Sequence, residues 1–418
     1  MTHARDLQPL PVPSGTGAPD ALPALRRALD GEGPALLPVP EDEPEQARRV
    51  AEALRVGEPL APATEPAALV IATSGSTGTP KGVLLTTSAL RASAAATHER
   101  LGGPGTWLLA MPAHHVAGIQ VLVRALLAGT EPHAVDTSDG FRPEAFAAAA
   151  RRALATSGQH YTALVPTQLS RLVQHENGLD ALREFDAVLL GGAATPPALL
   201  EHARQAGVRA VTTYGMSETA GGCVYDGVPL AGVDVRVDAG DQQAADQQAA
   251  DQQAGDQQAA DQQAANQRTG AIRISGPVLA SGYRGAGSDA FRDGWFRTGD
   301  LGRWDGGSLR VLGRLDDVIV TGGVNVAPAP VERILGEQES VREACVFGAE
   351  DPEWGEAVVA AVVPADPTAP PSAEDLRSAV RARASAAETP RRVLLLDELP
   401  VRGPGKPDRR ALREALDD

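Results

Sequence analysis

Several separated stretches hold residue types suited to gripping a polyphosphate and balancing its charge. Thr73-Ser-Gly-Ser-Thr-Gly-Thr-Pro-Lys-Gly82 packs three glycines and five hydroxyl residues into ten positions. It follows the apolar run Ala67 to Ala72 and leads into Thr86-Thr-Ser-Ala89, which opens an Ala-rich helical pattern. A loop of this kind between a strand and a helix turns backbone N–H groups and hydroxyls toward one point, as phosphate oxygens require. It is not a Walker loop, in which Gly precedes the Lys and Ser or Thr follows it; here Lys81 stands between Pro80 and Gly82. Thr213-Tyr-Gly-Met-Ser-Glu-Thr219 sets the Glu218 carboxylate beside hydroxyls. That suits Mg²⁺, which takes few carboxylates and completes its shell with substrate phosphates; a solvated loop acid is the plain alternative. Gly294-Trp-Phe-Arg-Thr-Gly-Asp300 places an acid after a tight turn, where it can accept from a ribose diol. Gly313-Arg-Leu-Asp-Asp317 adds one cation and two acids, and Gly403-Pro-Gly-Lys406 is a turn presenting one Lys. Met111-Pro-Ala-His-His-Val-Ala-Gly118 brings two imidazoles to the end of a strand, with a structural role as the alternative for either.

The elements that must position these residues follow from hydrophobic period. Between 67 and 215, strands near Leu69–Ala72, Thr106–Ala110, Tyr161–Val165, Ala187–Leu190 and Val208–Thr212 alternate with helices near Ser88–Leu101, Val116–Leu127, Pro143–Ala155, Gln168–Gln174 and Pro197–Gln205. Apolar strands alternating with helices predict βαβ units and a mostly parallel sheet covered on both faces. In such sheets ligands sit at the carboxyl ends of the strands, where the Gly-rich loop, Gly191-Gly192 and Tyr214-Gly215 all fall. Residues 1–65 are Pro- and Ala-rich and read as a loosely patterned leading segment, with helical stretches at Asp20–Leu29 and Glu45–Leu54. After Gly227, the alternating segments 233–237, 271–274 and 309–312 predict a small β subdomain of half-exposed antiparallel strands. Within it, Asp-Gln-Gln-Ala-Ala recurs over 241–267. A five-residue period advances about 140° per repeat on a helix, so its alanines form no single stripe. A solvated low-complexity insertion is expected there, with a partner-binding helix as the other reading. From Val318 onward, strands at 318–321, 344–347, 357–363 and 393–396 and helices near 330–335 and 373–384 predict a small α+β domain.

Composition limits the function classes. At 418 residues the chain is past the size at which one core suffices. With 38 basic and 54 acidic residues its net charge is −16, which disfavours nucleic acid and anionic membranes. Any anionic ligand must be held by local donors. Cys223 and Cys345 are far apart and lack metal-ligand spacing, as expected for a reducing compartment. Met1 to Asp20 is polar and Pro-rich, and no apolar run approaches a membrane span, so a cytoplasmic enzyme without membrane insertion is expected.

In this order the motifs resemble the adenylate-forming superfamily of acyl-CoA synthetases, luciferases and peptide-synthetase adenylation domains, over roughly residues 67–412. The resemblance implies a large N-terminal α/β domain of mostly parallel βα sheets plus the β subdomain, spanning 1–313, then a small mobile α+β domain spanning 314–418. It implies ATP, Mg²⁺ and coenzyme A as ligands. Thr73, Ser74, Gly75, Ser76, Thr77, Gly78 and Lys81 would hold the β- and γ-phosphates. Gly191, Gly192, Ala193, Thr213, Tyr214 and Gly215 would flank adenine and the acyl group, with Met216 and Ser217 beside them. Glu218 would serve Mg²⁺, Asp300 and Arg314 the ribose, and Asp316 would be the hinge. Lys406 would be the mobile catalytic lysine, acting with Glu218 and His115, while Gly322, Gly323 and Asn325 would line the coenzyme A tunnel. Pro330 departs from the family pattern, which has an acid at that position.

A closer similarity, carried by Tyr161-Thr-Ala-Leu-Val-Pro-Thr-Gln-Leu169, Leu189 to Ala194 and Tyr214 to Gly227, is to the short actinobacterial o-succinylbenzoate-CoA ligases of menaquinone biosynthesis. It implies an aromatic dicarboxylic acid as substrate. His115 matches the position where the superfamily keeps a His near the acyl carboxylate; on the residues themselves, Thr162, Thr167 and Gln168 offer donors for the second carboxylate, and Gly221 and Gly222 leave room for a ring, with backbone packing as the other reading of these glycines. Another acyl- or aryl-CoA ligase, a stand-alone adenylation enzyme loading a carrier protein, and a silent scaffold that binds through the repeat are the rival readings. The resemblance also allows a homodimer.

Overall fold

Short apolar runs separated by helices build a seven-stranded sheet. Its strands lie in the order Val228–Pro229, Gly221–Tyr225, Ala210–Met216, Ala187–Leu190, Gln159–Leu164, Gly105–Leu109 and His133–Ala134. The five strands from Ala210–Met216 onward run parallel, and the two at the other edge return antiparallel. Ala187–Leu190 and Gly105–Leu109 are buried along their whole length, as a sheet covered on both faces requires. Trp107, Tyr161 and Tyr225 are the largest fully buried side chains on its strands.

The computed structural model describes residues 5–61, 63–74, 80–239, 269–284, 289–402 and 406–417. The repeat over 241–267 and the loop residues Gly75, Ser76, Thr77 and Gly78 lie outside them. The chain forms two compact units. One comprises Met1–Gly192, His202–Val235 and Ile274–Phe296; the other comprises Ala193–Glu201, Arg236–Arg273 and Arg297–Asp418.

A second sheet in the first unit orders Leu7–Val12, Ala35–Pro40, Ala67–Ser74, Pro80–Thr86 and Gly282–Arg284. Two expectations are corrected here. The leading segment is not loosely patterned: Leu7–Val12 and Ala35–Pro40 pair in parallel, and Leu7, Leu37 and Val39 enter a core with Leu54, Leu60 and Val70. Its prolines hid the strands, but Pro9 and Pro11 lie on the edge strand, where a missing N–H costs no ladder bond on the open side. The Gly-rich loop, moreover, does not join a strand to a helix. Ala67–Ser74 and Pro80–Thr86 form an antiparallel hairpin around it, and the helix Thr87–Leu101 starts only afterwards, capped by the Thr86 hydroxyl.

Asp300, in the second unit, sits in the middle of the strand that follows the tight turn Asp293-Gly294, whose φ values are 52° and 78°. The 11-residue strand Trp295–Asp305 pairs antiparallel with Ser308–Arg314, and Asp300 lies opposite Arg314. Farther on, Val341–Asp351 and Gly355–Pro364 form a long hairpin whose two faces carry separate cores. Val346, Val358, Ala360 and Val362 pack with Val331, Leu335, Leu376 and Val380 from helices Pro328–Gly336 and Ala373–Arg381. Cys345, Phe347, Val359, Ala361 and Val363 pack with Leu399 and Leu412. The period of two in the sequence is what divides them. Among the described residues no helix is long and apolar enough to cross a membrane.

Candidate active site

The strand Ala210–Met216 ends in the single turn Ser217–Thr219, then reverses through Ala220 into Gly221–Tyr225. Ala220 has φ 49°, a left-handed value unusual for a residue with a Cβ. Its carbonyl accepts from Ser93 Oγ at 2.9 Å and from the Gln120 amide, which fixes the reversal. Gly215 lies opposite Gly222, so close that a Cβ on Gly215 would sit 2.1 Å from the Gly221 oxygen. The Gly-rich sequence here serves close backbone approach. Thr213 Oγ1 donates to the Leu190 carbonyl at 3.0 Å, and a Cβ on Gly191 would meet that same Oγ1 at 2.6 Å.

Three charged or polar groups converge beside this turn. Tyr283, on the strand paired with Pro80–Thr86, donates its phenol to Glu218 Oε1 at 2.8 Å, and Lys81 Nζ lies 5.8 Å from the centre of the Tyr283 ring. Lys81 itself pairs across the hairpin with Thr73, whose hydroxyl reaches the Lys81 carbonyl at 3.4 Å. Ser74 pairs with Pro80 in the same hairpin. Thus Tyr283 stands between Glu218 and Lys81, and Thr73 pairs beside Lys81 on the neighbouring strand.

The helix Val116–Ala128 starts from His115, whose ring centre is 4.2 Å from that of His114. Burial pushes the His114 pKa down. One turn apart on the buried face of this otherwise apolar helix stand Gln120 and Arg124. Arg124 is 3 % exposed, its guanidinium lies 5.1 Å from the Trp107 ring centre, and Nη2 reaches the Tyr225 hydroxyl at 3.5 Å. The Tyr225 hydroxyl also bonds Thr97 Oγ1 at 3.1 Å. No carboxylate pairs with Arg124 among the described residues, and Arg124 Nε, Gln120 Oε1, His98 Nε2 and Trp107 Nε1 are buried without a hydrogen-bond partner there. Burial, with Arg124 as a second cause, holds the His98 pKa down at about 4. Gly221 is the lid on this cluster: a Cβ there would lie 3.4 Å from Gln120 Cγ and 3.8 Å from Arg124 Nη2.

Other sequence candidates stand apart. Thr162 is fully buried and gives its hydroxyl proton to the Leu108 carbonyl at 2.9 Å, so it has no donor left for a ligand. Gln168 donates to the Ala110 carbonyl at 2.7 Å and accepts from Val165 N at 3.0 Å, bracing the start of helix Pro166–Val173, where Thr167 is exposed. In the second unit, Arg314 Nε lies 3.4 Å from Asp300 Oδ1 and Nη2 lies 3.8 Å from Asp316 Oδ2. Asp316 is in the turn Leu315–Asp317. Gly322 lies under the Trp354 ring, where a Cβ would meet Cε3 at 2.5 Å, and Arg391 covers that ring at 4.1 Å. Asn325 pairs with Val320, and the Lys406 backbone pairs with Arg402.

The sequence matches the AMP-binding enzyme family over residues 19–284 and the AMP-binding enzyme C-terminal domain over residues 330–406. This chain belongs to the AMP-binding enzyme family. Among relatives, the probable 2-succinylbenzoate–CoA ligase of Mycobacterium tuberculosis is 45 % identical over 411 residues, covering 97 % of each chain. Of solved structures, o-succinylbenzoate CoA synthetase from Bacillus subtilis, in complex with the acyl-adenylate intermediate OSB-AMP, is 26 % identical with a TM-score of 0.67, over 94 % of this chain and 80 % of that one. An amide bond synthetase from Marinactinospora thermotolerans is 27 % identical with a TM-score of 0.75, over 99 % and 90 %. The mixed α/β fold, with a large N-terminal and a smaller C-terminal domain, is that of the adenylate-forming enzymes.

For an AMP-binding enzyme, sequence reasoning missed Arg124 and Tyr283. Arg124 could have been found as the second of two polar residues four apart in an apolar helix, a pattern that buries both. Tyr283 gave no local signal, because its partners are 65 residues away at Glu218 and farther still at Lys81.

Proposed function

We propose that this chain is an ATP-dependent acid–thiol ligase acting on 2-succinylbenzoate in menaquinone biosynthesis, in the cytoplasm. One carboxylate of the acid attacks the α-phosphorus of ATP, giving an acyl-AMP and releasing diphosphate. The thiol of coenzyme A then attacks the acyl carbon, forming 2-succinylbenzoyl-CoA and releasing AMP. The observation that carries this reading is the 45 % identity, across nearly the whole of both chains, to the mycobacterial 2-succinylbenzoate–CoA ligase. Arg124 supports it from the geometry: a buried cation without an anion costs several kcal/mol, and a second carboxylate on the substrate offsets that cost.

In this reading the hairpin from Thr73 to Lys81, with Ser74, holds the leaving diphosphate. Gly192, Ala193, Thr213, Tyr214, Gly215, Met216 and Ser217 border adenine and the acyl-phosphate, with Gly221, Gly222 and His115 around the acid. Both reactants of the first step are anions, so the chain's work is charge placement and orientation, not covalent chemistry. Glu218 suits a Mg²⁺ ion, which needs only one or two carboxylates beside substrate phosphates. A Mg²⁺ there would neutralise phosphate charge. Asp300 and Arg314 hold the ribose, and Asp316 is the hinge of a domain that starts at Arg314 and carries Lys406 to the reacting carboxylate and then away. Gly322, Gly323 and Asn325 then border the thiol's path.

Diphosphate release with a panel of acids, with and without coenzyme A, tests the reading. Release with 2-succinylbenzoate alone, followed by coenzyme A-dependent AMP release, is expected. A preference for benzoate or a fatty acid would sink the substrate assignment.

A further inference from the structure

Tyr283 belongs to none of the roles assigned above, yet it touches two of the groups that have one. Its phenol donates to Glu218 Oε1 at 2.8 Å, and the face of its ring lies 5.8 Å from Lys81 Nζ. The segment that bears it is anchored on three sides. Ala280 N donates to the Glu218 carbonyl at 2.8 Å and Ser281 N to the Leu84 carbonyl at 2.9 Å, while Gly282, Tyr283 and Arg284 pair with Leu84, Val83 and Gly82. Arg284 donates to the Arg55 carbonyl at 2.6 Å and the Glu58 carbonyl at 3.2 Å. Phe291 closes the remaining side, edge-on to the Tyr283 ring at 5.5 Å between centres. The ring therefore has one seat, fixed by backbone.

The chemistry of that seat is selective. A Lys, Arg or His⁺ at Oε1 would orient Glu218 but also cancel its charge. A carboxylate under Lys81 would likewise spend the ammonium. A phenol is neutral at physiological pH: its O–H fixes the carboxylate through a hydrogen bond, and its ring face attracts the ammonium through its quadrupole, so neither ion is neutralised. With Oε1 engaged, Oε2 is the oxygen left to face a cation. Building on the proposed function, we infer that Tyr283 is a positioning residue that presents Glu218 to the metal bound with the nucleotide and holds Lys81 toward its phosphates.

The test separates the two contacts by ATP binding without any acid substrate. ATP affinity of the full chain is measured calorimetrically with EDTA and with saturating Mg²⁺, and the ratio is the metal's enhancement. Tyr283→Phe keeps the ring and loses the donor; it should cut that enhancement about fivefold and leave metal-free affinity within twofold. Tyr283→Leu loses the ring too, and should weaken metal-free affinity by about fivefold as well. In a Glu218→Gln background, Tyr283→Phe should change the enhancement no further. An unchanged enhancement in Tyr283→Phe would overturn the inference, as would an added effect of Tyr283→Phe on top of Glu218→Gln. If Tyr283→Leu fails to fold, those two variants decide. Since no acid is present, failure of the acid panel would count against the proposed function and leave this result standing.

Discussion

Arg124 is buried without an anion among the described residues, and that imbalance sets opposite expectations for stability and for substrate use. Replacing an unpaired buried charge by an apolar side chain of similar length removes a desolvation cost. Arg124→Met should therefore melt no lower than the parent, or higher. The same change should cut kcat/KM for 2-succinylbenzoate by about a hundredfold, since a buried charge contact to a ligand is worth roughly 2–5 kcal/mol. Benzoate, with no second carboxylate, should be used about equally by both. Melting curves together with kinetics on both acids check this, and equal loss on both acids would mean Arg124 only supports the wall. At this scale the sequence was a partial guide. Glu218 and Lys81 stood out because a charge beside Gly and Ser has few local uses, and the structure does bring them to Tyr283. Thr162 was drawn in by its polarity and proves to be a tie between parallel strands, bonded to Leu108. A hydroxyl can satisfy its own backbone as readily as a ligand, so composition alone does not tell the two apart.

Elements explain why those residues keep their places. The turn at Ser217–Thr219 is held by a hairpin whose strands touch backbone to backbone at Gly215 and Gly222. Gly215→Ala would push a methyl to 2.1 Å from the Gly221 oxygen, a clash with backbone that no rotamer relieves. We expect a loss of about 2–4 kcal/mol, read as a fall in the urea midpoint. Gly222→Ala meets side chains at longer range, Tyr225 Cε1 at 3.0 Å and Thr213 Cβ at 3.2 Å, and should cost less. A larger loss from Gly222→Ala would contradict this order. The parallel strands and most helices of the seven-stranded sheet were legible, because runs buried on both faces, such as Ala187–Leu190, have no polar alternation to confuse them. The hairpin around the Gly-rich loop was not. Its second strand, Pro80–Thr86, begins with Pro-Lys-Gly and runs straight into a helix, so its apolar Val83-Leu84-Leu85 read as a helix approach. Likewise Gly299 at φ 75° sits within the strand Trp295–Asp305 beside Arg314, and a glycine at positive φ gives no strand signal in the sequence.

On the scale of the whole molecule, composition disfavours nucleic acid and anionic membranes before any element is placed, since a net charge of −16 leaves anionic ligands to local donors. Hydrophobic period also placed the second strand of the late hairpin, expected at 357–363, close to its bounds Gly355–Pro364, but found only the middle of the first, 344–347 within Val341–Asp351, and with it the position of Cys345. That position has a practical meaning. Cys223 and Cys345 are the chain's two thiols, both fully enclosed, and burial pushes each up to a pKa of about 12. At pH 8 only about one in ten thousand of either would be thiolate, the form that attacks a disulfide reagent. An Ellman-type titration of the native protein should count no sulfur, and one of the unfolded chain should count two. An enzyme whose second step consumes a free thiol is thereby chemically silent toward the reagents that detect it, and the disappearance of coenzyme A can be followed by colour in its presence.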